Sequence, residues 1–172
     1  VIFDCGSSIC ETSLLFKLKY PHSPVVSIES DAEKFEILKK NIELNKYNDV
    51  KAIKAIVSNT NIEPEVSIDE LVKKYNMNNV GLIKLNIEGV ERLALEGAIN
   101  TIITQKPILM INISNRDDDC YQIPRILSKL NMPMEFRLKW VEKRIYGVDC
   151  TLFVKFIKPQ PPKQEVLRIR ED

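Results

Sequence analysis

The sequence predicts one α/β domain with a mostly parallel seven-stranded sheet, helices on both faces and an antiparallel hairpin at its end. Five short apolar segments alternate with helical segments, which is typical of parallel strands joined by helices. Two further strand-like segments, 134–141 and 150–157, are joined through a short turn region at Tyr146-Gly147, so they should pair antiparallel.

Length and composition are those of one ordinary globular domain. The chain has 172 residues, of which 44% are hydrophobic and 28% charged, and no apolar run is long enough to span a bilayer. A formal net charge of +1 argues against nucleic acid as a partner. The four cysteines form no C-x-x-C pair, so we expect reduced thiols in a cytoplasmic protein. No His/Asp/Glu cluster has ligand spacing, so we expect no tight metal site. Val1 already lies inside a strand pattern, so we expect the sequence to start within a longer protein.

The predicted elements follow one another through short connections. The predicted strands are 1–5, 25–29, 50–57, 80–87, 107–113, 134–141 and 150–157. The predicted helices are 9–19, 30–45, 67–75, 90–104 and 120–130. In the first helix Thr12, Leu15 and Leu18 recur near helical spacing. Residues 158–172 contain three prolines and dense charge, so we expect the domain to end at residue 157 and a tail to follow.

Two helices begin with the spacing of a capping box. In this motif a serine oxygen and a glutamate side chain three residues later satisfy free backbone donors. Ser30 with Glu33 has this spacing before the second helix, and Ser67 with Glu70 has it before the third.

The first candidate site segment is D-C-G-S-S, from Asp4 to Ser8, at the end of the first strand. Ligands of parallel sheets bind at the carboxyl ends of the strands. Gly6 lets the backbone turn sharply and approach a ligand, and the N–H groups that start the next helix can bind a polar or charged group. A simple turn is the alternative interpretation.

The second candidate is Glu29, which ends the second strand 23 residues after Gly6. An acidic side chain at this position can accept hydrogen bonds from both hydroxyls of a ribose. The spacing favours this interpretation over a solvated carboxylate in front of a helix. Ser58 and Asn59 follow the third strand and reach the same edge of the sheet.

The third candidate is K-L-N-I-E-G-V-E, residues 84–91, in which strand, turn and helix follow directly. Asn86 and Glu88 should lie at the edge of the cleft, and Gly89 permits the turn. Glu91 falls in the first helical turn, where a negative charge stabilises the helix dipole, and we favour that role over catalysis. Lys84 can pair with a carboxylate inside the sheet.

Two other groups carry less weight. His22, the single histidine, lies in a helix-to-strand loop at the amino ends of the strands, so we expect no catalytic role for it. Residues 117–119, D-D-D, follow the fifth strand on the cleft side. A solvated loop or helix start is the favoured interpretation of this run, and substrate contact is the alternative.

These segments together resemble the FkbM family of methyltransferases that use S-adenosylmethionine (SAM). The resemblance rests on I-F-D-C-G-S-S-I-C at 2–10, S-I-E-S-D at 27–31, S-I-D-E-L at 67–71, K-L-N-I-E-G-V-E at 84–91 and L-E-G-A at 95–98, and it covers residues 1–157. It implies the Rossmann-like fold of class I methyltransferases, with SAM as cofactor. It also implies that the acceptor is a hydroxyl group on a sugar or another small molecule.

The resemblance assigns cofactor contacts to particular residues. By it, Asp4, Gly6 and Ser8 would line the methionine side of SAM, Glu29 the ribose, and Ser30 and Ser58 the adenine side. Asn86 completes the predicted cofactor site. Methyl transfer is an in-line displacement for which the enzyme mainly supplies alignment. Glu88 is the candidate general base, because it should lie just past the fourth strand on the cleft side.

The sequence departs from the family pattern in the cofactor loop and at the fourth strand. Ser7-Ser8 replaces Ala-Asn, Cys10 replaces a glycine and Asn86 replaces an aspartate. One alternative is therefore a degenerate domain that binds SAM weakly or serves as a binding module. Another is a nicotinamide-dependent oxidoreductase, which the terminal hairpin and the 84–91 segment disfavour.

Overall fold

A computed structural model describes residues 1–144 and 147–157. The strands are β1 Ile2–Cys5, β2 Val25–Glu29, β3 Val50–Lys54, β4 Ile56–Val57, β5 Glu65–Val66, β6 Leu82–Leu85, β7 Ile108–Asn112, β8 Met134–Arg144 and β9 Gly147–Phe156. The helices are α1 Glu11–Lys19, α2 Ala32–Leu44, α3 Ile68–Lys74, α4 Glu91–Glu96, α5 Ile99–Gln105 and α6 Asp119–Ser128. None of the helices in these ranges is long and apolar enough to cross a membrane. The predicted tail 158–172 and Tyr146 of the predicted turn lie outside the described residues.

Seven strands form the main sheet in the order β3-β2-β1-β6-β7-β9-β8. The strands from β3 to β7 in this order are parallel to one another, and β9 runs antiparallel to both β7 and β8. The predicted mostly parallel sheet with its C-terminal hairpin is therefore confirmed. The chain order reverses at β1, which lies between β2 and β6, and such a reversal opens a crevice at the carboxyl ends of the strands.

Helices cover both faces of the sheet, as predicted. One face, which includes Phe3, Val26 and Ile83, packs against apolar residues of α3, α4, α5 and α6. On the opposite face Ile2 and Val25 pack with Leu38, Ile42, Val50 and Cys10, which brings α2 over β1, β2 and β3. Successive strand residues thus enter different clusters, as the two-residue period of a strand requires.

Helix α1 is attached by buried polar groups, and Leu14 and Phe16 add partly buried contacts with the cluster around Ile2 and Val25. Its buried residues are Ser13 and Lys17, whereas Leu15 and Leu18 are 63% and 72% exposed. The Ser13 hydroxyl donates to Asp4 Oδ2 at 2.6 Å and lies 2.6 Å from Ser27 Oγ. Lys17 Nζ bonds to Asp49 Oδ2 at 2.5 Å and to two carbonyl oxygens of the following turn. The apolar spacing predicted for this helix therefore does not mark its buried side.

Two predicted elements are each divided in the structure. The predicted strand 50–57 becomes β3 and β4, which Ala55 separates, and β4 pairs with β5 in a second, two-stranded sheet. The predicted helix 90–104 becomes α4 and α5, with Gly97 at the break. A Cβ on Gly97 would lie 2.0 Å from the carbonyl oxygen of Ser58, so only glycine lets the two segments approach.

The serine half of one predicted capping box is correct, whereas the Ser67 N–H donates to Asn61 Oδ1 and not to Glu70. Ser67 is the N-cap of α3, and its hydroxyl accepts from the backbone N–H of Glu70 at 3.1 Å. The prediction for Ser30 is wrong by one residue, since α2 is capped by Asp31, whose carboxylate accepts from Lys34 N–H at 2.8 Å. Asp31 takes the position because its short carboxylate reaches the free N–H group of the first turn.

Asp69 caps a helix other than its own. Helix α5 has no capping side chain at its own N-cap residue, Ala98. Instead Asp69 of α3 accepts from the N–H and side chain of Asn100, at 3.0 Å each, and from the N–H and hydroxyl of Thr101, at 2.8 and 2.6 Å. This carboxylate therefore joins α3 to the N-terminus of α5.

We expect Asp69→Ala to lower the free energy of unfolding by about 1–3 kcal/mol, because the first N–H groups of α5 lose their acceptor. Urea denaturation measures the change. Glu70→Ala is the matched control on the same helix, since the Glu70 carboxylate bonds to no described side chain. A loss no larger than that of the control would contradict the capping role.

Candidate active site

A cavity of about 710 Å³ opens where the chain order of the sheet reverses. Its walls come from the carboxyl ends of β1, β2, β6 and β7 and from the segment 55–57. The volume lies within the roughly 300–1,000 Å³ that is usual for small-molecule sites. Five of the predicted site residues share this cavity: Gly6, Ser8, Glu29, Ser30 and Asn86. The candidate base Glu88 also lines it, whereas Asp4 and Ser58 do not.

Asp4 lies beneath the cavity floor. Its side chain is fully buried, and Oδ1 accepts from Lys84 Nζ at 2.7 Å. Lys84 Nζ also donates to the carbonyl oxygen of Gly6 at 3.0 Å. The expected pairing of Lys84 with a carboxylate inside the sheet is thus present, and Asp4 supports the loop from below.

The loop after β1 is shaped by residues with positive φ. Gly6 has φ 76°, and a Cβ on it would lie 1.9 Å from the carbonyl oxygen of Asn86, so the loop passes directly against the end of β6. Ser8 and Cys10 also have positive φ, at 51° and 91°, although L side chains rarely adopt this conformation. The loop keeps the shape of a glycine-rich turn despite its substitutions.

Cys10 fills the core below this loop. Its side chain is buried with Leu38 and Ile42 of α2. Burial, aided by the negative charge of Asp4, raises the pKa of the Cys10 thiol to about 11. The thiol is therefore protonated at neutral pH and packs as a small apolar group.

Glu29 spans the first two strand ends. Its carboxylate accepts from the Ser8 N–H through Oε2 at 2.8 Å and from the Asp31 N–H through Oε1 at 2.9 Å. The side chain is 7% exposed and lines the cavity. Because each carboxylate oxygen has two acceptor positions, both can still accept from a ligand hydroxyl.

Ser58, which the family resemblance placed on the adenine side, is 2% exposed and packs behind the cavity wall. Its carbonyl oxygen lies against Gly97. The wall itself is formed by Ala55, Ile56 and Val57, which the sequence analysis did not select. Their signal was the alternation of apolar residues at the end of the predicted third strand.

Two asparagines join the ends of β6 and β7. Asn112 Nδ2 donates to Asn86 Oδ1 at 3.0 Å, and Asn112 Oδ1 accepts from the N–H and hydroxyl of Ser114. Asn112 and Asn115 line the cavity together with Asn86. This end of the cavity is therefore rich in amide groups, while the end near β4 is apolar.

The turn from Ile87 to Gly89 carries Glu88 at the cavity rim. Glu88 is exposed and has φ 55°, and Gly89 has φ 99°. Glu91, the first residue of α4, is fully buried. Its Oε1 accepts from Ile87 N–H at 2.9 Å and from Asn115 Nδ2 at 2.5 Å, and its Oε2 accepts from Gly89 N–H at 2.9 Å. Glu91 thus holds the turn, besides lying in the first turn of its helix.

The acidic run at 117–119 starts α6. Arg92 Nε bonds to Asp119 Oδ1 at 2.7 Å, and Arg92 Nη2 pairs with Asp118. The guanidinium lowers the pKa of the Asp118 carboxyl by donating a hydrogen bond to it. This is the favoured helix-start interpretation, and the run ties α6 to α4. His22 is exposed in the turn after α1, away from the cavity.

Within the described residues, no group of three or more His, Cys, Asp or Glu side chains is placed to hold a metal ion. The cavity offers a ligand the hydrogen-bonding groups near β6 and β7 and the apolar wall at 55–57.

The chain has the Rossmann-like fold of class I methyltransferases, with its cavity at the switch point of the sheet. Residues 55–138 match the methyltransferase FkbM domain, so the resemblance to the FkbM family is confirmed. No curated protein matches the sequence.

Solved structures of methyltransferases share this fold. The FkbM methyltransferase of Methylobacillus flagellatus superposes with a TM-score of 0.72 at 20% identity, over 89% of this chain and 42% of that chain. An rRNA methylase from Streptococcus thermophilus gives 0.63 at 12% identity, over 91% and 86%. The N-terminal domain of human METTL16 in complex with SAH gives 0.63 at 14% identity, over 91% and 61%. The chain thus spans less than half of the Methylobacillus protein.

We expect Gly6→Ala to destabilise the protein by about 3 kcal/mol or more, because the new Cβ would collide with backbone and φ is positive. Thermal and urea unfolding measure the effect. Gly81→Ala is the control, since a Cβ there meets no atom closer than the Val1 carbonyl oxygen at 4.0 Å. Equal stability of the two variants would show that the loop can move away from β6.

Proposed function

We propose that this chain binds SAM in the cavity at the switch point and transfers its methyl group to a hydroxyl of a small molecule. The observation that carries the proposal is the Glu29 carboxylate, fixed by two backbone N–H groups where β2 faces the loop after β1. An acceptor at this position suits the ribose hydroxyls of a nucleoside.

The cavity residues fit the three parts of this cofactor. The apolar wall at 55–57 suits the adenine ring, and Glu29 suits the ribose. Gly6 and Ser8 line the next part of the cavity, where the methionine portion would lie. Asp4 contributes indirectly. It pairs with Lys84, and Lys84 Nζ also donates to the Gly6 carbonyl oxygen, so the pair fixes the position of the loop.

The charge of the cavity supports a cationic ligand. SAM supplies an electrophilic methyl group on a positively charged sulfonium. The acidic side chains that line the cavity are Glu11, Glu29, Asp31 and Glu88. The basic ones are Lys34 and Lys84, and Lys84 is neutralised by Asp4. The excess of carboxylates attracts a cation and disfavours a phosphate-rich acceptor, which supports a small uncharged acceptor over RNA.

The end of the cavity at β6 and β7 is the proposed acceptor side. Amide groups of Asn86 and Asn115 can orient a hydroxyl, since amides both donate and accept. Glu88 at the rim is the proposed general base, which would take the hydroxyl proton on a carboxylate oxygen. A sugar or a similar hydroxyl compound is the acceptor class that the family resemblance favours.

One observation favours a second function, a SAM-binding module without catalysis. Asn86 stands where the family pattern has an aspartate, and its Oδ1 is already bonded to Asn112. The acceptor side thereby lacks one carboxylate. Cofactor binding without methyl transfer to any hydroxyl acceptor would support this second function.

We expect Glu29→Gln to weaken binding of SAM and of S-adenosylhomocysteine (SAH) by about ten- to a hundredfold, because hydrogen bonds to a charged acceptor are lost. Isothermal titration calorimetry measures both constants. Glu33→Gln is the control. Glu33 is exposed on α2, and its substitution removes the same charge nearby. Absence of binding of SAM and SAH to the folded wild-type chain would sink the proposal.

We expect Glu88→Gln to reduce turnover by about a hundredfold while SAM affinity changes little, because the base acts on the acceptor and not on the cofactor. Transfer of a radiolabelled methyl group to a panel of sugars and polyols measures turnover, and calorimetry measures binding. Parallel losses of turnover and affinity, or no loss of either, would count against Glu88 as the base.

A further inference from the structure

We propose that Glu91 is a positioning residue that fixes the acceptor side of the cavity, an inference that rests on the proposed methyl transfer. The Glu91 carboxylate does not line the cavity. It acts through three groups around it, namely the backbone of Ile87 and Gly89 and the side chain of Asn115.

The burial of Glu91 is compensated by hydrogen bonds alone among the described residues. The residue is 0% exposed, and none of the described ion pairs includes it. A buried carboxylate is unfavourable unless donors surround it, so all three N–H groups are needed. Each of them is in turn held in place by the carboxylate.

These donors come from two neighbouring loops at the same end of the cavity. Ile87 and Gly89 belong to the turn after β6, and Asn115 belongs to the loop after β7. One carboxylate therefore sets the distance between the Glu88 turn and the Asn115 amide. The N–H groups on either side of Glu88 are both bound, so the backbone that carries the Glu88 side chain is fixed at its two neighbours.

The turn needs this support because its backbone is unfavourable. Glu88 and Gly89 have consecutive positive φ values, and Glu88 is not glycine. Without the Glu91 acceptors the turn can relax to an ordinary conformation and move Glu88 away from the acceptor. The start of α4, which follows the turn, is anchored to α6, because Arg92 next to Glu91 pairs with Asp118 and Asp119.

The hydrogen bonds of the Glu91 carboxylate all lie at the β6 and β7 end of the cavity. Glu29 and Ser8, the proposed cofactor contacts, form no hydrogen bond to Glu91 or to the turn. Loss of the Glu91 carboxylate should therefore lower turnover and leave cofactor affinity unchanged. A purely structural role would instead reduce stability, affinity and turnover together.

The test uses Glu91→Gln, whose amide nitrogen cannot accept, and Glu96→Gln as the control. Glu96 lies on the same helix and accepts a single exposed hydrogen bond from Asn59. Hydrogen exchange at residues 87–89, calorimetry with SAH, and methyl transfer to the best hydroxyl acceptor of the wild type are measured on each variant.

We expect Glu91→Gln to exchange the amide hydrogens of Ile87 and Gly89 about tenfold faster or more, to bind SAH within about twofold of the wild type, and to lose about tenfold or more in turnover. Glu96→Gln should match the wild type in all three. Unchanged exchange at 87–89, or a parallel loss of SAH affinity, would overturn the inference. Failure of the wild type to bind SAH would instead overturn the proposed function, while the exchange measurement would still test the role of Glu91.

Discussion

The buried ion pair between Asp4 and Lys84 supports the centre of the molecule. It joins β1 to β6 at the point where the chain order reverses, with side chains that are 0% and 7% exposed. The remaining bonds of this pair reach the Gly6 carbonyl oxygen and the Ser13 hydroxyl, so one network holds two strands, the loop after β1 and α1. A single charge left in this position would be strongly unfavourable, because each ion compensates the burial of the other. The cavity is therefore built on a polar base within an otherwise apolar sheet.

The substitutions in the loop after β1 change its chemistry less than its sequence suggests. Ser8 and Cys10 take conformations that glycine or asparagine adopts more easily, yet the Ser8 N–H still reaches Glu29 and the Cys10 thiol packs in the core. The stability of the surrounding packing keeps the loop in this shape. The departure that removes a charge from the cavity surface is at Asn86, where an amide bonded to Asn112 replaces a carboxylate.

The strands could be predicted from sequence because their signal is local. β2 has the predicted bounds, and three of the four predicted carboxyl-end segments converge on one cavity, the exception being Ser58-Asn59. The roles of Asp69 and Glu91 could not be predicted, because their donors lie far away along the chain. The donors to Asp69 are 31 or more residues away, and one donor to Glu91, Asn115, is 24 residues away. A capping box or a dipole position describes only the neighbours of a residue along the chain. Ser58 shows the converse error, since a strand end was taken as an exposed edge although Gly97 packs onto it.

The polar attachment of α1 determines how far the wall of the cavity that α1 forms can move. Hydrogen bonds are directional and weaken steeply as the donor angle departs from linear, so they fix an orientation more closely than non-directional apolar contact does. Ser13 and Lys17 lie one turn apart and are both bonded to fixed partners, so they set the rotation of α1 about its own axis and its position along it. Glu11 and Thr12, which line the cavity, directly precede Ser13. The outline of the cavity on this side is therefore determined by the orientation of one helix, and a change in the exposed residues Leu15 or Leu18 leaves that orientation intact.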